Sequence, residues 1–136
     1  MYKKTITYTD YNNIERTEDF WFNFSKAEIM EMEMSVDGGM SALMKKVAST
    51  QDAPSLVKIF KDLVLDAYGE RSADGRRFMK HDDNGRRLSD KFKETEAYSV
   101  LFMELAFDDK AAAEFMNGII PKDLAKQIAE TKELSE

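Results

Sequence analysis

Along the first 24 residues, apolar and polar side chains alternate with a period of two. Ile6 and Tyr8 stand among Thr5, Thr7 and Thr9, and Phe20, Phe22 and Phe24 among Asp19, Trp21 and Asn23. That period belongs to strands with one covered face. The intervening Asp10-Tyr11-Asn12-Asn13 carries short polar side chains that bond nearby backbone or tolerate positive φ, so the segment predicts a β-hairpin. A hairpin alone is marginal in water, which requires the Phe20/Phe22/Phe24 face to lie on apolar partners elsewhere in the chain.

Beyond Phe24 the period becomes that of helices. Ser25-Lys26-Ala27-Glu28 fits a capping box, in which hydroxyl and carboxylate satisfy backbone donors that a helix start leaves free. The helix it predicts begins near Lys26, carries Ala27, Ile29, Met30 and Met34, and stops at Asp37-Gly38-Gly39. A second runs from about Met40 to Ser49 on Leu43, Met44 and Val47. Asp52 caps a third, with Pro54 in its first turn and Leu56, Ile59, Phe60, Leu63, Val64 and Ala67 as its core stripe. Gly69 closes that helix, and 70–87 reads as loop, with a tight turn and small hairpin at Asp74-Gly75. Helical spacing resumes near Leu88 or Ser89 and continues as one helix through Tyr98, Leu101, Phe102 and Leu105. Another, capped by Asp108 or Asp109, runs through Ala111, Ala112, Phe115 and Met116 to Gly118, before Pro121. The pattern predicts an α+β, predominantly helical fold. In it an N-terminal hairpin (1–24) packs on about five to six helices (25–121) in one globular domain, 1–121, followed by a weakly ordered or helical tail, 122–136.

Composition narrows the chemistry. With 136 residues and 43% hydrophobic side chains the chain can build a core without disulfide or metal, and no cofactor is expected. Cysteine is absent, which removes thiolate zinc sites and thiol nucleophiles, and His81 is the only imidazole. No apolar run is long enough to span a bilayer, and MYKKTITYTD lacks the apolar core of a secretion signal, so no membrane partner and a cytoplasmic location are expected. The net charge of −6 is segregated: residues 1–70 carry −4, residues 71–93 carry +4 and residues 94–136 carry −6. Phosphate-binding is the obvious use for Arg76, Arg77, Lys80, Arg86, Arg87, Lys91 and Lys93, yet Asp74, Asp82, Asp83 and Asp90 are interleaved with them and the sequence pI is about 4.9. The reading is therefore no nucleic acid, and an acidic protein surface as the better match for the island.

The metal-like cluster is His81-Asp82-Asp83, whose consecutive side chains diverge on a helix or strand and would converge on a cation only in a special loop. A metal-dependent hydrolase built on it is the enzymatic alternative, and the less favoured one. Glu28, Glu31 and Glu33 fall on polar and flanking positions of their predicted helix, where solvation explains them without an acid/base role. No catalytic residues and no metal site are assigned. The nine methionines, five of them at positions 30 to 44, are the most functional-looking feature. Most are read as core filling, and a subset as an adaptable groove for varied apolar helices. The expected partner-binding residues are Phe20, Phe22, Met30, Met34, Met40 and Met44.

The runs TITYTD (5–10), EDFWFNFSKAEIMEMEMSVDGG (18–39), AYGERSADGRRF (67–78), TEAYSVLFMELA (95–106) and AAAEFMNGIIP (111–121) are similar to the tail assembly chaperones of long-tailed bacteriophages and prophages of Gram-positive bacteria. The likeness spans about residues 3–121 and contains no catalytic motif. It implies a non-enzymatic assembly factor, made in the host bacterial cytoplasm, that binds the long helical tape measure protein and keeps it soluble until tail-tube subunits polymerise round it. It further implies self-association into a homo-oligomer and a longer frameshift form of the same chain as a partner. A structural tail or head–tail connector component is the alternative within the same biology.

Overall fold

A computed structural model describes residues 1–34 and 53–121. The predicted helix at Met40–Ser49, the stop at Asp37-Gly38-Gly39, the Asp52 cap and the tail 122–136 lie outside the described residues.

The hairpin forms as its period requires. β1 (Tyr2–Thr9) pairs antiparallel with β2 (Glu15–Phe22), with Tyr2 opposite Phe22 and Thr9 opposite Glu15. Asp10 builds the turn. Its Oδ1 accepts the Asn12 and Ile14 N–H groups at 2.8 and 3.0 Å, while Asn13 takes the positive φ of 63°. One face of the ribbon carries Tyr2, Ile6, Tyr8, Phe20 and Phe22 toward the core. The other carries Thr5, Thr7, Thr17, Asp19 and Trp21, with the Arg71 guanidinium 3.9 Å from the centre of the indole. Phe24 falls just past the strand and is also buried, because the Asn23 and Phe24 N–H groups are held by the Ala67 and Ile119 carbonyls at 2.8 and 2.7 Å.

The sheet extends further than the alternating pattern shows. β3 (Tyr68–Arg71) pairs antiparallel with β2, placing Gly69 opposite Trp21, and β4 (Phe78–Met79) pairs with β3, so the order is β1-β2-β3-β4. The small hairpin at Asp74-Gly75 is present, with Gly75 at φ 73°, but it is an extension of the N-terminal ribbon and not an isolated feature of a loop. Gly69 belongs to the strand: a Cβ there would lie 2.5 Å from the Phe78 ring and 2.7 Å from the Met79 carbonyl oxygen, so only glycine lets β4 lie this close.

The helices follow in order. α1 (Lys26–Glu33) starts with the predicted capping box: Glu28 N–H donates to Ser25 Oγ at 3.1 Å, and Ser25 N–H donates to Glu28 Oε1 at 2.9 Å. α2 (Ala53–Ala67) has Pro54 as its second residue and buries Leu63, Val64 and Ala67. The single helix expected from Leu88 onward is two, α3 (Leu88–Lys93) and α4 (Glu96–Phe107). Thr95 causes the break: its hydroxyl donates to the Phe92 carbonyl at 2.7 Å and accepts the Tyr98 N–H at 3.3 Å, ending one helix while capping the next. Asp108 caps α5 (Asp109–Ile119) by accepting the Lys110 and Ala111 N–H groups.

α4 and α5 lie against β1, and α2 and α3 complete the cover. The core is aromatic. Phe22 has no exposed surface and meets Phe92, Phe115 and Tyr68 edge-on at centroid distances of 5.8, 5.3 and 5.8 Å, and Tyr68 stacks on Phe92 at 4.4 Å. Burial, with the Glu70 carboxylate adding to it, pushes the Tyr68 hydroxyl up to about 12.

Candidate interaction surface

The expected partner-binding residues separate into three groups. On α1, Ile29 turns inward and anchors the helix, Met32 is half-buried against the core, and Met30 and Met34 project outward at 60% and 82% exposure. Residues four apart share a helix face, and Met34, which caps α1, keeps helical backbone angles, so Met30 and Met34 form one small apolar ridge. Phe22 is enclosed by the core and cannot line a surface trough, and Phe20 is half-buried, packed on Phe92 at 5.1 Å and Tyr8 at 6.4 Å. The reason is the one that predicted the hairpin: its apolar face must be covered. Met40 and Met44 lie outside the described residues.

The sequence reading missed α4's second face. Of the residues the helical spacing picks out, Leu101 and Leu105 are buried, with Ala97 beside them, and Tyr98 and Phe102 are half-buried, but Val100, Met103 and Phe107 are exposed at 40%, 53% and 80%. Nine of its twelve residues are apolar, EAYSVLFMELAF, more than one buried stripe needs. That excess is the signal that marks the outer face.

A cleft of about 460 Å³ opens between α1, the end of α2 and the segment that follows β4, lined among others by Phe24, Glu28, Tyr68, Lys80, His81 and Arg87. Four of its charges are paired with one another. Lys80 Nζ donates to Glu28 Oε2 at 2.6 Å and lies 4.6 Å from the centre of the Phe24 ring, and Arg87 donates to Asp66 at 2.7 Å. Burial opposes ionisation of Glu28, but the Lys80 ammonium and the Ser25 N–H outweigh it and hold the carboxyl below its ordinary value. A carboxylate held charged in this way is unsuited to donate a proton near neutral pH.

The His81-Asp82-Asp83 cation reading has no geometric support. Asp82 Oδ1 accepts the Asn84 and Arg86 N–H groups, both at 2.9 Å, closing a turn on Gly85 at φ 80°. Those backbone bonds help hold its carboxyl below the usual range. His81 is exposed and pairs through its backbone with Arg87. Among the described residues no three His, Asp or Glu side chains converge on a point a metal could occupy. The basic island is partly used inside the fold, through Arg71 on Trp21, Lys80 on Glu28 and Arg87 on Asp66.

Fold and surface together define a small α+β protein whose described residues present exposed apolar helix faces. A family model described as phage tail assembly chaperone matches residues 1–136, and the chain belongs to that family. The match takes in the C-terminal 15 residues beyond the likeness seen in the sequence. No curated protein and no solved structure matches the chain. Among the described residues no helix is long and apolar enough to cross a membrane.

Proposed function

We propose that this chaperone binds the tape measure protein in the host cytoplasm and keeps its apolar helix faces from aggregating until tail-tube subunits displace it. The observation that carries the reading is the set of exposed apolar side chains on helix faces, Met30 and Met34 on α1 and Val100, Met103 and Phe107 on α4, in a chain of net charge −6. Helical partners are recognised through such ridges, and methionine adapts to varied apolar surfaces. Small ridges also suit displacement, since the coat must leave. Met40 and Met44 belong to the proposed contact set with Met30 and Met34. A homo-oligomer and a longer frameshift form of the chain as co-assembling partner complete the proposal.

The test is co-expression with the tape measure protein. Wild-type chain should raise the soluble fraction of that protein and co-purify with it, and Met30→Asp with Met34→Asp should reduce both while circular dichroism is unaltered. A tape measure protein equally soluble with and without the chain would overturn the proposal. So would recovery of this chain as a stoichiometric component of purified virions, which would make it structural.

A further inference from the structure

We infer that the outward face of α4 docks an amphipathic helix of another protein, one whose apolar stripe is flanked by lysine or arginine. The inference rests on the proposed function and deepens it by naming a surface and the chemistry of what it takes.

At 100° per residue, Val100, Met103 and Phe107 fall within about 60° of one another, while the buried Leu101 and Leu105 lie about 100–160° round the helix from them and Ala97 lies between the two sides. Their i, i+3, i+7 spacing along about 10 Å of axis is the pattern a second helix matches. Size and charge then select the occupant. Three partly exposed side chains offer on the order of 300 Å², far short of the ~800 Å² that each member of a stable protein pair buries. A contact of that size is weak for any occupant: it fits a helix that must later be displaced, and it is too small to hold two copies as a stable dimer.

Charge excludes a second copy more directly. Glu96 lies in line with the stripe one turn before Val100, where its carboxylate accepts a hydrogen bond from the Tyr11 hydroxyl at 2.6 Å. Asp108 and Asp109 follow Phe107 at the other end, with Lys110 as the only cation among the next residues. Glu104, beside the stripe, is paired with Lys4 at 2.8 Å. Two copies packed antiparallel on this face would set Glu96 of each against Asp108 and Asp109 of the other, and a parallel pair would set Glu96 against Glu96. A helix with basic flanks meets the opposite sign at both ends, which fixes its register as well as its identity.

The probe is a synthetic 21-residue helix with a leucine stripe and lysine flanks, titrated into the isotope-labelled full chain, with a glutamate-flanked version as control. The lysine peptide should shift the Met103 and Phe107 resonances. The glutamate peptide, and the lysine peptide against a Met103→Ser/Phe107→Ser chain of unchanged melting temperature, should each bind at least 10-fold more weakly. Equal binding by that variant, or shifts confined to Met30 and Met34, overturns the inference. So does a wild-type dimer that the variant turns into monomer, since a second copy would then be the occupant. In co-expression, a variant that captures the tape measure protein normally while Met30→Asp/Met34→Asp does not would reject α4 and leave the proposed function standing. If wild-type chain fails to solubilise the tape measure protein, the function falls, and the peptide titration still decides what α4 binds.

Discussion

The inner and outer sides of α4 carry similar chemistry in opposite environments. Inward, Ala97, Leu101 and Leu105 join the cluster around Phe22, Phe92 and Phe115, and the burial of each apolar side chain accounts for its presence. Outward, Val100, Met103 and Phe107 are as apolar and lie in water. A residue that folding explains needs no further reason, whereas Phe107, 80% exposed at the end of a helix, contributes little to the described core and so points to something beyond it. Variants should separate the two sides by stability.

The largest effect belongs at the centre of the cluster. Phe22→Ala removes a ring with no exposed surface that meets Tyr68, Phe92 and Phe115, and should cost about 3–5 kcal/mol in chemical denaturation. A loss below about 1 kcal/mol would mean that the ring is not enclosed, and the inner–outer contrast would lose its first term. Next comes Gly69→Ala at the edge of the same core. Its methyl would be driven against the Phe78 ring and the Met79 carbonyl, the latter unable to swing away, for an expected cost of about 1–3 kcal/mol and loss of the β3–β4 pairing in amide exchange.

The inner side was legible in the sequence because burial imposes a period. Alternation exposed the hairpin, and helical spacing exposed the buried sides of α2, α4 and α5. What escaped has physical reasons too. β4 is two residues long, and no period can be read from Phe78-Met79; its pairing depends on the absence of a side chain at Gly69, which spacing does not record. The split between α3 and α4 lies at Thr95, whose apolar neighbours keep helical spacing across a break made by one hydroxyl. Phe22 cannot meet a partner, because the same argument that forms the hairpin demands that its ring be covered. Phe107 was overlooked because a search for one buried stripe stops once Leu101 and Leu105 satisfy it.

A smaller effect lies at the cleft, where charge and not burial distinguishes the sides. Glu28 has a folded pKa below its ordinary 4.5, so its stabilisation is complete above about pH 4.5 and is lost as pH falls through the depressed folded value. Lys80→Met removes the ammonium 2.6 Å away, and wild type should lose up to about 1 kcal/mol more than this variant between pH 6 and pH 3, the scale of a part-exposed pair. Other lowered carboxyls, at Asp10, Asp74 and Asp82, titrate alike in both chains and cancel in the difference. Identical acid profiles would show that the pair contributes nothing to folding and would leave Lys80 and Glu28 open to other partners.

The smallest expected effect is the most informative for the comparison. Phe107→Ser exchanges a large ring for a hydroxymethyl at the last residue of α4, and a ring buried like Phe22 would make that change costly. Here most of the ring is already in water, so the transfer term is nearly absent, no cavity is created, and the change in stability should stay within about 0.5 kcal/mol by thermal or chemical denaturation. Serine has somewhat lower helix propensity than the best formers, but at a terminal position that difference is largely lost to fraying. A loss above about 1 kcal/mol would mean that the folded chain covers this face, and Phe107 would then be a core residue like the others. A null result, set beside the several kcal/mol expected at Phe22, leaves a phenylalanine that folding does not need, and its reason must be sought in what α4 binds.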